Sequence, residues 1–128
     1  MDTEAIIKQL DSFQVKLFVR TNGEVLPADP VTLSNNLLLI RGLLIQLVEK
    51  VYEAELDYRK SKASRFDRFL KEGMKKSPAM DSLDMEPDLI DKKLSTERVR
   101  NYMKYVDGLC TSIQSVLKVQ AGSEKNQY

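Results

Sequence analysis

Two seven-residue series run through the middle of this chain and constrain its fold more than any other feature. Leu37, Leu44, Val51 and Tyr58 form one, and Leu33, Ile40, Leu47 and Ala54 form the other, four residues out of phase. Alternating steps of four and three mark the inward positions of a helix in a coiled coil or bundle. Leu38, Leu43 and Val48 widen the stripe, as happens when a helix meets two neighbours. Gly42 weakens it by roughly 1 kcal/mol relative to alanine. Pro27 and Pro30 precede the series, and Thr32 or Ser34 can cap the helix. If the helix runs to Gly73 it is about 60 Å long, more than a chain of 128 residues covers easily from one side. Either it breaks between Ser61 and Ser64 or other subunits cover it. The second is the preferred expectation, with Leu37, Ile40, Leu44, Leu47 and Val51 as the surface of a homo-oligomer.

The flanking segments are also mostly helical by pattern. Ile6, Ile7, Leu10, Phe13 and Leu17 sit at helical spacing behind a possible cap at Asp2 or Thr3. A competing alternation, Phe13-Val15-Leu17-Val19, leads into Thr21-Asn22-Gly23, a hairpin signal whose only partner strand is the short Glu24-Val25-Leu26. A short helix followed by an irregular arm is favoured over residues 1–30. Gly73, Pro78 and Pro87 make 73–87 read as a loop. A last helix starts between Pro87, with Asp88 and Asp91 beside its dipole, and Ser95, a second possible cap. Val99, Val106 and Ile113 with Tyr102, Leu109 and Val116 give it a seam, packed antiparallel on the first. The polar residues 120–128 read as a flexible tail. The expected fold is mainly α, with residues 31–119 as a helical oligomerisation and binding domain.

Composition closes off most catalytic chemistry. There is no histidine and one cysteine, Cys110. His-dependent proton transfer, Cys–His nucleophiles and ordinary zinc sites are therefore absent. No intrachain disulfide can form, which suits a reducing cytoplasm, and Cys110 reads as a small buried hydrophobe. The first ten residues show no export signal. The longest apolar run, Leu37 to Ile40, is far short of a membrane span, so a soluble protein is expected. Glu49, Glu53, Glu55 and Asp57 could suggest a helical, magnesium-binding pyrophosphatase. That chemistry needs a second acidic pair on a facing helix, where only Glu97 and Asp107 stand, ten apart. No enzyme, metal or cofactor is expected.

The net charge of +1 conceals a local asymmetry. Eight bases (Arg59, Lys60, Lys62, Arg65, Arg68, Lys71, Lys75 and Lys76) face two acids between 59 and 76, and five acids with no base follow between 77 and 91. Phe66 and Phe69 lie among the bases. Basic side chains along a backbone with aromatics under the bases are how single-stranded nucleic acid is commonly held. The plainer alternative puts Phe66 and Phe69 in the core and the cations on a solvated face. The acidic stretch from Asp81 to Asp91 fits no calcium loop. It reads as a solvated linker, or as an intramolecular mimic of a phosphate backbone that covers the basic segment.

Several words of the sequence, in order, resemble the recombination mediators of T-even phages, the UvsY-type family. Asn35-Asn36 leads into the apolar helix. Ala54-Glu55-Leu56-Asp57-Tyr58 carries the Leu-Asp-Tyr of the family's helical DNA-binding motif. Leu109-Cys110, Ser112-Ile113 and Val116-Leu117-Lys118 are similar to its final helix. The family has bases just before Leu-Asp-Tyr, where this chain has Glu53 and Glu55, so no DNA-binding role carries over to those two; the charge stands downstream, at Arg59, Lys60, Lys62, Arg65 and Arg68. The resemblance implies a ring-forming, non-enzymatic protein of the host cytoplasm. Such a protein binds single-stranded DNA and helps load a recombinase onto strands coated by single-strand-binding protein. A ring multiplies weak sites by effective concentration. The other reading is a helical protein-interaction module, such as a phage inhibitor of a host enzyme or an assembly scaffold.

Overall fold

The structure, a computed structural model, describes the backbone of residues 1–126 and the side chains of residues 1–122. In chain order it comprises α1 (Thr3–Val15), β1 (Phe18–Thr21), β2 (Glu24–Pro27), α2 (Pro30–Lys71), α3 (Lys76–Leu83) and α4 (Pro87–Asn126). As the heptad pattern predicts, the fold is mainly α, with α2 packed against α4. The chain divides into two compact units: Met1–Val48 with Met103 onward, and Glu49–Tyr102.

In the first unit, the Asp2 carboxylate caps α1 by accepting from the Ala5 amide at 2.8 Å. Ile6 and Leu10 are its buried side chains. The segment expected as an irregular arm is instead an antiparallel hairpin, with Val19 opposite Leu26 and Thr21 opposite Glu24. Asn22 and Gly23 supply the two positive φ angles, 52° and 80°, that a two-residue turn of the I′ type needs. That turn makes Thr21–Glu24 a hydrogen-bonded pair, so by alternation Phe18–Pro27 is a pair that exchanges no hydrogen bond. Pro27, which has no amide proton, is therefore harmless at the end of β2. The ladder resumes where the Ala28 amide donates to the Leu17 carbonyl at 2.9 Å.

α2 starts earlier than expected. Pro30 occupies its first position, and the cap is Asp29, not Thr32 or Ser34. The Asp29 carboxylate accepts from the Thr32 amide at 3.1 Å and from the Thr32 hydroxyl at 2.6 Å. From there the helix runs unbroken past Ser61 and Ser64 to Lys71. Six of the eight seam residues are buried by the chain itself: Leu33, Leu37, Ile40, Leu44 and Leu47 in the first unit, where Ile6, Leu10, Leu17, Val106, Cys110 and Ile113 are also buried, and Val51 in the second; Tyr58 is half-buried and Ala54 exposed. Leu37, Ile40, Leu44, Leu47 and Val51 are thus core residues and not an exposed oligomer surface. Burial raises the Cys110 thiol pKa. By length and composition alone α2 would also serve as a membrane-crossing helix, although 39% of its apolar window is buried inside the chain.

In the second unit the expected loop 73–87 contains α3. Pro78 is compatible with this helix because it lies in the first turn, where an amide has no intrahelical partner to lose. α4 begins at Pro87, so Ser95 is interior and not a cap. The helix continues to Asn126, through most of the expected tail; residues 127–128 lie outside the described residues.

Asp29 offers a direct test of the α2 start. Its hydrogen bonds to Thr32 hold its pKa below the ordinary 3.8. A depressed carboxylate contributes stability that is complete above its unfolded value and fades as pH falls through the folded one. Asp29→Ala should therefore lower the melting temperature at neutral pH. The gap between variant and parent should close in acid below the folded pKa, as followed by circular dichroism.

Candidate nucleic-acid interface

The ten basic and aromatic residues expected to bind nucleic acid, Arg59 to Lys76, fall into three environments in the second unit. The helical period decides which. Phe69 is buried, at 8% exposure, in a cluster with Ala79 and Leu83 of α3 and Leu89 of α4. Phe66 packs against the same cluster with Tyr58, Leu70 and Met74. The Phe69 ring is not free to stack on a base in this structure, and Phe66 is half-buried. The plainer reading holds for Phe69 and only in part for Phe66.

Arg65 is also engaged. Its Nη1 and Nη2 donate to the two Asp88 oxygens at 3.3 and 2.9 Å, and Nη1 lies 2.8 Å from Glu86. The hydrogen bond to Asp88 is the main cause of the raised Arg65 pKa, and the same bond lowers that of Asp88. Lys71 pairs with Asp67 at 2.9 Å and Arg68 more loosely with Glu72 at 3.9 Å, both one turn away on the exposed face. Such surface pairs contribute little and yield easily to a competing anion. The Lys62 ammonium lies 5.8 Å from the Tyr58 ring centre, and the Arg68 guanidinium at the same distance from Phe69.

Arg59, Lys60, Lys75 and Lys76 remain. All four are exposed, and among the described residues no ion pair holds any of them. Arg59 also lines a cleft of about 200 Å³ with Glu55, Tyr58, Lys93, Thr96 and Arg100. These cations, with Lys62, Arg68 and Lys71 beside them, form the available basic surface.

The cations of α4 were not singled out from sequence, yet they explain the acids of α2. Glu55 pairs with Arg100, and Asp57 with Lys92 at 2.9 Å. Lys92 also donates to the Ser61 hydroxyl at 2.9 Å. As the α2 partner advances from 57 to 65, the α4 partner retreats from 92 to 88, so the helices run antiparallel within this unit. Pairing Glu55 and Asp57 with the opposite charges of a facing antiparallel helix was the available signal. Among the described residues no group of three His, Cys, Asp or Glu could hold a metal ion.

The first unit carries the other feature of note. Val31, Leu38 and Ile45, each seven residues apart, point outward; Leu38 is 75% and Ile45 66% exposed. Beside them Arg41, Leu44, Ile45, Val48, Met103 and Lys104 line an apolar groove of about 400 Å³, with the Arg41–Asp107 pair, 2.6 Å apart, in its wall.

No family model, curated protein or solved structure matches this chain.

Phe69 distinguishes a packing role from a surface one. Phe69→Ala should cost about 3–5 kcal/mol of stability, the usual range for a buried phenylalanine, in urea unfolding. A cost near zero would put the ring back on the surface.

Proposed function

We propose that this chain is a non-catalytic, self-assembling helical protein that holds single-stranded DNA by its phosphates and serves as a phage-type recombination mediator. The observation that carries the DNA-binding part is the set of free cations, Arg59, Lys60, Lys75 and Lys76. The resemblance of Leu56-Asp57-Tyr58 and of the final helix to the mediator family supplies the rest, including the recombinase and single-strand-binding protein as partners. With Phe66 and Phe69 turned inward, the resting protein relies on charge and not on stacking. Affinity per subunit is then modest, and assembly makes it useful.

Self-assembly is assigned to the outward series Val31, Leu38 and Ile45, since the inner series is spent on the chain's own core. Large exposed aliphatics at a seven-residue step suit a second helix with the same step. The occupant proposed is another copy of this chain.

A helical interaction module that binds no DNA is the second reading. It is favoured by Arg65 being already neutralised by Asp88 and Glu86. Fluorescence anisotropy with a labelled oligonucleotide separates the two. Single-strand affinity should fall with salt by about 0.7 logarithmic units per decade for each phosphate neutralised. Changing Arg59, Lys60, Lys75 and Lys76 together to Gln should flatten that slope by about 3 per engaged subunit with helicity unchanged. An unaltered slope, or no binding by the parent at about 50 mM salt, would favour the second reading.

For assembly, Leu38→Asp with Ile45→Asp should give a folded, helical monomer by light scattering. Leu44→Asp should unfold the chain instead. A parent protein that is itself monomeric would remove the assembly proposal.

A further inference from the structure

We infer that α3, the turn after it and the first turn of α4 form a lid over a basic–aromatic DNA site, an intramolecular competitor that single-stranded DNA displaces. The inference rests on the single-stranded-DNA reading above and adds its regulation.

The lid covers the most informative members of the predicted strip and leaves the rest open. Ala79 and Leu83 of α3, with Leu89 just beyond, bury Phe69. Glu86 and Asp88, in the turn and first turn of α4, close around the Arg65 guanidinium. Arginine presents a planar fork that matches carboxylate and phosphate alike. The carboxylate oxygens of Glu86 and Asp88 therefore occupy the places that phosphate oxygens would take. Arg59 and Lys60 stay exposed outside the lid, and Lys75 and Lys76 stay exposed at its leading end, so a strand can engage them before the lid moves.

α3 is suited to leaving. It has eight residues, its N-cap Lys75 makes no side-chain capping bond, its first turn has no acid and its last no base. A helix that short does not persist without packing. Gly73, at φ 97°, provides a pivot at the end of α2 that other residues would adopt only with strain. Opening would strip Phe69 of its apolar cover and Arg65 of its carboxylates at once. Bases stacking on the freed Phe66 and Phe69 and a phosphate on Arg65 would offset that loss. The open state is then stable only with DNA bound, and the stacking contribution missing from the resting protein returns.

The test uses the full-length protein and a fluorescein-labelled oligothymidylate, with hydrogen exchange on the unmodified protein as a second readout. Glu86→Gln with Asp88→Asn should bind roughly tenfold more tightly, because a larger fraction is open. Asp81→Asn with Asp84→Asn makes the same charge change on the same segment at residues that hold no ion pair among the described residues, and should gain little. In the parent, adding the oligonucleotide should speed amide exchange over residues 76–83. Equal gains in the two double variants, or binding by the parent with α3 protected, would overturn the lid and leave the DNA reading standing. Failure of the parent and both variants to bind would overturn both. The exchange readout stands even if the Glu86/Asp88 variant fails to fold.

Discussion

The structure depends on the inner face of α2 being filled from within the same chain. Leu33, Ile40 and Leu47 are fully buried, and burying such a side chain contributes roughly 1.5–3 kcal/mol. Once that face is committed, the 3.6-residue period fixes the direction of every other side chain on the helix. It turns Phe69 inward and Phe66 partly so, places Arg65 at the margin beside α4, and leaves Lys60, Arg68 and Lys71 outside. Charge and aromaticity that look like one strip along the sequence are divided around the helix by the packing requirement.

The same commitment explains why an apolar surface remains. Val31, Leu38 and Ile45 repeat at the step of the inner series but are out of phase with it, so no rotation of α2 could bury both sets within the first unit. The inner set wins because α1, Leu17 and the end of α4 supply its partners. Isolated exposed leucines need no explanation; a regular series of them on a helix that already has a core does.

Where sequence and structure agree, the signal was periodic. The seam of α2, the seam of α4 through Val106 and Ile113, and the burial of Cys110 follow from spacing alone. The misses occurred where local chemistry competes with periodicity. Asn22-Gly23 outweighed the poor length of its partner strand, because both residues accept the positive φ that the turn demands. α3 was hidden by Pro78, a breaker in mid-helix but permitted in a first turn. Asp29 caps α2 ahead of Thr32 and Ser34 because it stands immediately before a proline at the first helical position. The two phenylalanines could not be assigned from spacing alone, since whether they face α3 depends on a helix that the sequence did not announce.

Glu53 and Glu55, the acids just before Leu56-Asp57-Tyr58, each have a basic partner. Glu53 sits 3.6 Å from Lys50, a weak surface pair. Glu55 is the more consequential: it faces Arg100 of α4 with only 20% of its side chain exposed. A base at 55 would set like charges against each other in a partly desolvated site, at a cost that surface screening would not remove. In this chain the position is therefore tied to holding α4 against α2. The nearest cations not tied in that way are Arg59 and Lys60, one turn further along the same helix. Arg59 and Lys60 directly follow Leu56-Asp57-Tyr58, while Glu55 and Asp57 pair with Arg100 and Lys92. That arrangement lets one segment of α2 hold α4 in the second unit and still leave Arg59 and Lys60 exposed.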